Sequence, residues 1–150
     1  MTTSQIFLTC LNEANAFLKS AEWSQEKYEE NIFELAYASV CAVNLSFSCE
    51  LYLKSIYIYY SDTNSVPREH GLKKIFANLS DEVRKEISQN YTQTSHELSL
   101  EDLLEEQNDI FISWRYQYEE RTGEMSFHYR DLYVFATCLK KFCNNLRSKL

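Results

Sequence analysis

Apolar residues recur at helical spacing along nearly the whole chain. Between Ser4 and Ser20, Phe7, Leu11, Ala14 and Leu18 follow one another at i, i+3 or i+4, with Cys10 and Phe17 beside them. This is the mark of a helix with one buried face. A second, long helix is expected from about Ser24, a suitable N-cap residue, to about Tyr60. From Leu35 to Leu53 it is apolar almost all round, which places it at the centre of a bundle. The run Ile56–Tyr60 is β-branched and aromatic, yet it continues the helical pattern and no other segment offers it a partner strand.

Ser61–Glu69, with Asp62, Asn64, Ser65 and Pro67, reads as a loop. A short helix over His70–Asn78 turns Leu72, Ile75, Phe76 and Leu79 inward. Ser80 caps another, with Asp81 and Glu82 in its first turn and Val83, Ile87 and Tyr91 as its buried stripe. Ser99–Asp102 fits a capping box and opens a helix striped by Leu100, Leu103, Leu104, Phe111, Trp114 and Tyr118. After a break around Gly123, a last helix from about Phe127 to Arg147 carries Leu132, Phe135, Ala136, Leu139, Phe142, Cys143 and Leu146 on one face. The predicted architecture is a single all-α domain spanning residues 1–150. It is an up-and-down four-helix bundle with two short helices inserted between the second and third long ones.

Composition narrows the chemistry. Gly71, Gly123 and Pro67 are the only glycines and the only proline. That excludes a P-loop and a dinucleotide-binding GxGxxG turn, and leaves too little turn punctuation for a sandwich or barrel. A formal net charge of −7 argues against broad electrostatic capture of nucleic acid or anionic membrane. The charge is uneven: Glu97–Asp109 holds six acids and no base, whereas His128–Leu150 holds five bases and one acid, Asp131. Solvated helix faces of opposite sign account for this. Five cysteines, an odd number, all lie in apolar stretches and match no zinc spacing. They read as reduced core thiols of a cytoplasmic protein. No segment resembles a signal peptide or a membrane span. His70, His96 and His128 form no HExxH and no carboxylate cluster in sequence, so neither a metal nor another cofactor is expected.

Three places stand out as candidate chemistry. Glu50 and Lys54 sit at i, i+4 on the most apolar helix, as a helical ion pair at the bundle edge or as the polar floor of a site between helices. In Trp114–Arg115–Tyr116–Gln117–Tyr118–Glu119, Arg115 stands beside the buried stripe, with Tyr116 close by and Glu119 at i+4. It either pairs with Glu119, its stem packed on aromatics, or directs its guanidinium at a phosphate or base. His70 opens the short helix after the loop, as a cap, a packing group or a site residue. His128 lies thirteen residues beyond Arg115 and seven beyond Arg121.

The stretch Ala36–Ile56 resembles the second helix of HEPN-superfamily domains, and His70–Leu79 is similar to that family's H-x-L-x-x-L-F-x-x-L stretch. The segment 114–119 is similar to one branch of the superfamily. The resemblance implies an up-and-down bundle that forms a homodimer and serves in bacterial toxin–antitoxin or antiviral defence systems. A cognate antitoxin or defence protein, and RNA or a nucleotide, are its implied partners. Many members are metal-independent endoribonucleases with an Arg-x4–6-His motif. The Arg would steady the phosphate, and the His would act as general acid/base on the ribose 2′-OH. Counting from Arg115, Glu120, Arg121 and Thr122 stand where that histidine is due. Arg121-x6-His128 meets the longest spacing, with Gly123 between them. The expectation is therefore a HEPN-like binding and dimerisation module with a degenerate catalytic motif. The alternatives are a ribonuclease using Arg115 or Arg121 with His128, and a structural subunit of a larger complex. Glu50, Lys54, His70, Tyr116 and Glu119 are its candidate binding residues.

Overall fold

The computed structural model describes residues 1–32, 34–61, 65–94, 96–110, 114 and 127–150. Among these there are six helices and no strand: α1 (Thr3–Glu30), α2 (Leu35–Tyr60), α3 (Leu72–Ala77), α4 (Asp81–Thr92), α5 (Leu100–Glu106) and α6 (Tyr129–Arg147).

α1 starts at a complete capping box. The Thr2 hydroxyl accepts from the Gln5 N–H at 3.2 Å, and the Gln5 side chain accepts from the Thr2 N–H at 2.7 Å. The helix does not end at Ser20. Ser24, expected to cap the second helix, is buried within α1, and its hydroxyl donates to the Ser20 carbonyl at 2.8 Å. No glycine or proline interrupts this stretch, so the hydroxyl back-bonds to the preceding turn and the helix runs on. Reversal comes only after Glu30. Asn31 caps the end, its backbone N–H and side-chain amide both donating to the Lys27 carbonyl. Ile32 then takes a φ of +55°. That is the position after the cap where glycine, or less often asparagine, usually enters the left-handed region.

α1 and α2 form a long antiparallel pair. Contacts between them run in opposite chain order: Phe7 with Tyr59, Ala14 with Ser48, Ser20 with Asn44, Trp23 with Tyr37. Polar groups within this seam are paired. Ser48 donates to the Ala14 carbonyl at 2.8 Å, Tyr52 to the Asn15 side chain at 2.5 Å, and Asn44 to the Ser20 hydroxyl at 3.0 Å. α6 packs on α2 and also touches α1 and α4, burying the seven residues anticipated from its stripe. Cys49 and Cys143 are buried at this junction, their thiols lying against the Leu132 and Tyr52 carbonyls. Cys41 is also buried, but Cys10 and Cys138 are only partly so, and all five cysteines are free thiols.

The small helices pack around this frame. α4 follows the sequence pattern, with Ser80 accepting from the Val83 N–H and Val83, Ile87 and Tyr91 buried. α3 is shorter than expected, and its N-cap is Gly71, not His70. Its first turn is satisfied from afar: Asn108 accepts from the Lys73 N–H at 2.9 Å. A Cβ on Gly71 would stand 2.8 Å from that Asn108 oxygen, which explains the glycine. α5 opens on Ser99 but closes at Glu106, with the buried Gln107 as its C-cap. Of the longer helix expected here, Ile110 and Trp114 pack with Ala38 and Ala42 in a second small core. Phe111 and Tyr118 lie outside the described residues. Before α5, the Asp131 carboxylate reaches back from α6 to accept from the Glu97 and Leu98 N–H groups at 2.9 and 2.8 Å.

A β-branched residue in the left-handed region costs about 1–2 kcal/mol, and Ile32, 89% exposed, recovers little of that by packing. Ile32→Gly is therefore expected to stabilise the protein by about 1 kcal/mol, raising Tm by roughly 2–4 °C. Thermal unfolding followed by circular dichroism checks this, and a lowered Tm counts against the strained turn.

Candidate functional site

The most unusual chemistry sits on α2. Glu50 and Lys54 are separated by one helical turn and lie among apolar neighbours, their side chains only 2% and 8% exposed. The Lys54 ammonium is 3.5 Å from one Glu50 oxygen, and the His70 Nδ1 is 3.0 Å from the other. His70 itself is 56% exposed. One buried carboxylate thus joins a buried cation to an imidazole at the surface. Because a carboxylate accepts, Nδ1 carries the ring proton in the neutral form, and the lone pair falls on Nε2.

Burial is the largest influence on Glu50 and pushes its carboxyl above the usual range, while Lys54 and His70 act in the opposite direction. The ion pair anticipated from sequence is therefore formed, and it is buried. His70 does not cap α3. It leaves that role to Gly71 and Asn108 and turns to Glu50 instead.

His128 occupies the N-cap position of α6 without a side-chain capping bond. Its Nε2 lies 2.7 Å from Glu106, and its backbone N–H donates to the buried Gln107 side chain at 3.1 Å. The C-terminal turn of α5 thereby touches the segments that bear His70 and His128. Glu106 and Gln107 hold His128, while Asn108 abuts Gly71, next to His70. On the same turn Glu105 pairs with Lys73 of α3. Glu106, Gln107 and Asn108 were not singled out from sequence. Their signal was present, because 107 and 108 are the positions where the stripe Leu100, Leu103, Leu104, Phe111 calls for apolar residues.

Of the remaining candidates, Arg115, Tyr116, Glu119 and Arg121 lie outside the described residues. The thiols offer poor nucleophiles, since burial raises Cys41 to about 12 and pushes Cys49 and Cys143 up as well. Among the described residues no group of three or more His, Cys, Asp or Glu side chains is placed to hold a metal ion. No described helix is long and apolar enough to cross a membrane. No family model matches this chain, and neither a curated protein nor a solved structure does.

Removing one member of a buried ion pair leaves an uncompensated charge, at about 3–5 kcal/mol. Glu50→Gln is expected to destabilise the protein by that order, and Glu50→Gln/Lys54→Met to recover most of it, as read by urea denaturation. A pH titration supplies the sign. With Glu50 raised in the folded state, its contribution is most favourable below the ordinary carboxylate range and is lost as pH rises through the raised value. The double variant lacks this slope; an identical pH profile in both proteins would show that Glu50 does not titrate upward.

Proposed function

We propose that this chain is a HEPN-like helical binding and dimerisation module of a bacterial defence or toxin–antitoxin system, acting on RNA or a nucleotide. The observation supporting this is the Glu50–Lys54–His70 cluster. Lys54 offsets Glu50, so a protonated His70 carries one net positive charge to the surface, suited to a phosphate oxygen. The full up-and-down four-helix arrangement, with a third long helix through Trp114, belongs to the same reading. So do the homodimer and the candidate roles of Arg115, Tyr116 and Glu119 in binding.

A second reading is a metal-independent endoribonuclease. It is favoured by the carboxylate-oriented imidazole of His70, which in its neutral form keeps the Nε2 lone pair that a general base needs. In that reading His70 joins or replaces the Arg115, Arg121 and His128 set.

RNA oligonucleotides and mononucleotides incubated with the intact protein in EDTA separate the two. The first reading expects retention of the RNA or nucleotide by a dimer, without cleavage, and roughly tenfold weaker binding in His70→Ala. Cleavage that disappears in His70→Ala, or in both His128→Ala and Arg121→Ala, establishes the second. Neither binding nor cleavage overturns both, and a strictly monomeric solution mass removes the dimer.

A further inference from the structure

The exposed part of α2 does not have the chemistry of a solvated surface. Between Leu35 and Tyr59 the only exposed residues of α2 are Leu35, Ala36 and Val40, and the helix's two charges, Glu50 and Lys54, are buried. An exposed helix face normally carries charge. On α1, Trp23 is 54% exposed and meets Tyr37 edge-on at 6.2 Å. The contacts Phe17–Phe47, Ser20–Asn44 and Trp23–Tyr37 succeed one another along the pair, with Val40 between Tyr37 and Asn44 on α2. At i, i+3 and i+4 spacing these form one continuous strip.

Ile32, at the end of the hairpin, adds an independent observation. Its side chain is exposed and its backbone is left-handed, so neither packing nor conformation favours isoleucine there. A residue that serves the fold in neither respect points to use by something outside it.

The surroundings specify that something by charge. Glu26, Glu30 and Glu34 are exposed around this end of the hairpin, while Glu22 and Glu29, also exposed, lie toward Tyr133 and Tyr129 of α6. Against them stands Lys27, which pairs with Glu30 at 3.0 Å and lies over the Trp23 ring. The geometry points to this strip as a docking face for a cationic amphipathic helix of a partner protein. Two antiparallel helices offer a groove in which a third lays its apolar anchors, and lysines or arginines flanking those anchors meet the glutamates. A second copy of the chain brings the same glutamates, and tip-to-tip pairing sets like charges together. The inference does not rest on the RNA or nucleotide reading.

The test uses the intact protein and two labelled synthetic peptides of about five helical turns, or about 18 residues. One combines a leucine stripe with lysines, the other the same stripe with glutamates. Fluorescence anisotropy is expected to show binding of the lysine peptide alone. Val40→Glu adds attracting charge yet obstructs the strip, so it is expected to weaken binding at least about tenfold, as is Trp23→Ala. Ile32→Gly weakens binding while the fold is at least as stable. Equal or tighter binding to Val40→Glu means surface adsorption and overturns the proposal, as does no binding to the unaltered protein. Concentration-dependent dimerisation that Val40→Glu abolishes places a second copy on the strip and likewise overturns the cationic-helix assignment. Trp23→Ala, read beside circular dichroism, keeps the test decisive if Val40→Glu does not fold.

Discussion

Burying α2 along most of its length obliges each polar group it carries to find a partner inside the protein. That obligation organises the rest of the molecule. Ser48 reaches the Ala14 carbonyl, and Tyr52 and Asn44 reach Asn15 and Ser20, which fixes the register of α1. Apolar packing alone would tolerate sliding by a turn; these bonds would all be lost together. Glu50 and Lys54 face the stricter form of the same constraint, since a lone charge at their depth is far more expensive than a lone hydroxyl. Each answers the other, and the second oxygen of Glu50 is met by His70. A loop residue is thereby drawn onto the central helix by the need to satisfy a carboxylate.

The turn at Gln107–Asp109 plays a comparable part. By ending α5 early it sets two amides to work on neighbouring elements: Gln107 on the start of α6 and Asn108 on the start of α3. Both helices begin without a side-chain cap of their own. An orphan N–H at each is satisfied by a residue more than twenty positions away in sequence. The segments bearing His70 and His128 consequently share a boundary that neither could define alone.

Sequence periodicity was sufficient where one buried face runs the length of a helix, as in α4, which also has a local cap, and α6, which does not. It misplaced the first reversal because Ser24 is as good a back-bonding residue as it is a cap, and the pattern alone does not distinguish the two. It carried the stripe of α5 through positions 107 and 108 because the apolar residues on either side are in phase, and the intervening polar pair was passed over. At the site, the spacing of Glu50 and Lys54 exposed their pairing. The addition of His70 was hidden, because that contact joins residues twenty apart across a loop. Asp131 was hidden more deeply, since an acid in the first turn of a helix looks the same whether it complements the dipole or reaches back to a distant loop.

Both His70 and His128 stand opposite a carboxylate, but the two pairs are not equivalent. Glu106 is 45% exposed, so water competes for it and its hold on His128 is weak. Glu50 is almost wholly buried, has few other partners, and is backed by Lys54. A hydrogen bond donated to that carboxylate restricts the imidazole far more than one donated to a solvated glutamate. Orientation is what a histidine needs in order to present one nitrogen reliably to a ligand or a proton. On these grounds the weight of the candidate site falls on His70. The Arg-x6-His spacing directs attention to His128 because spacing records distance along the chain and carries no record of burial.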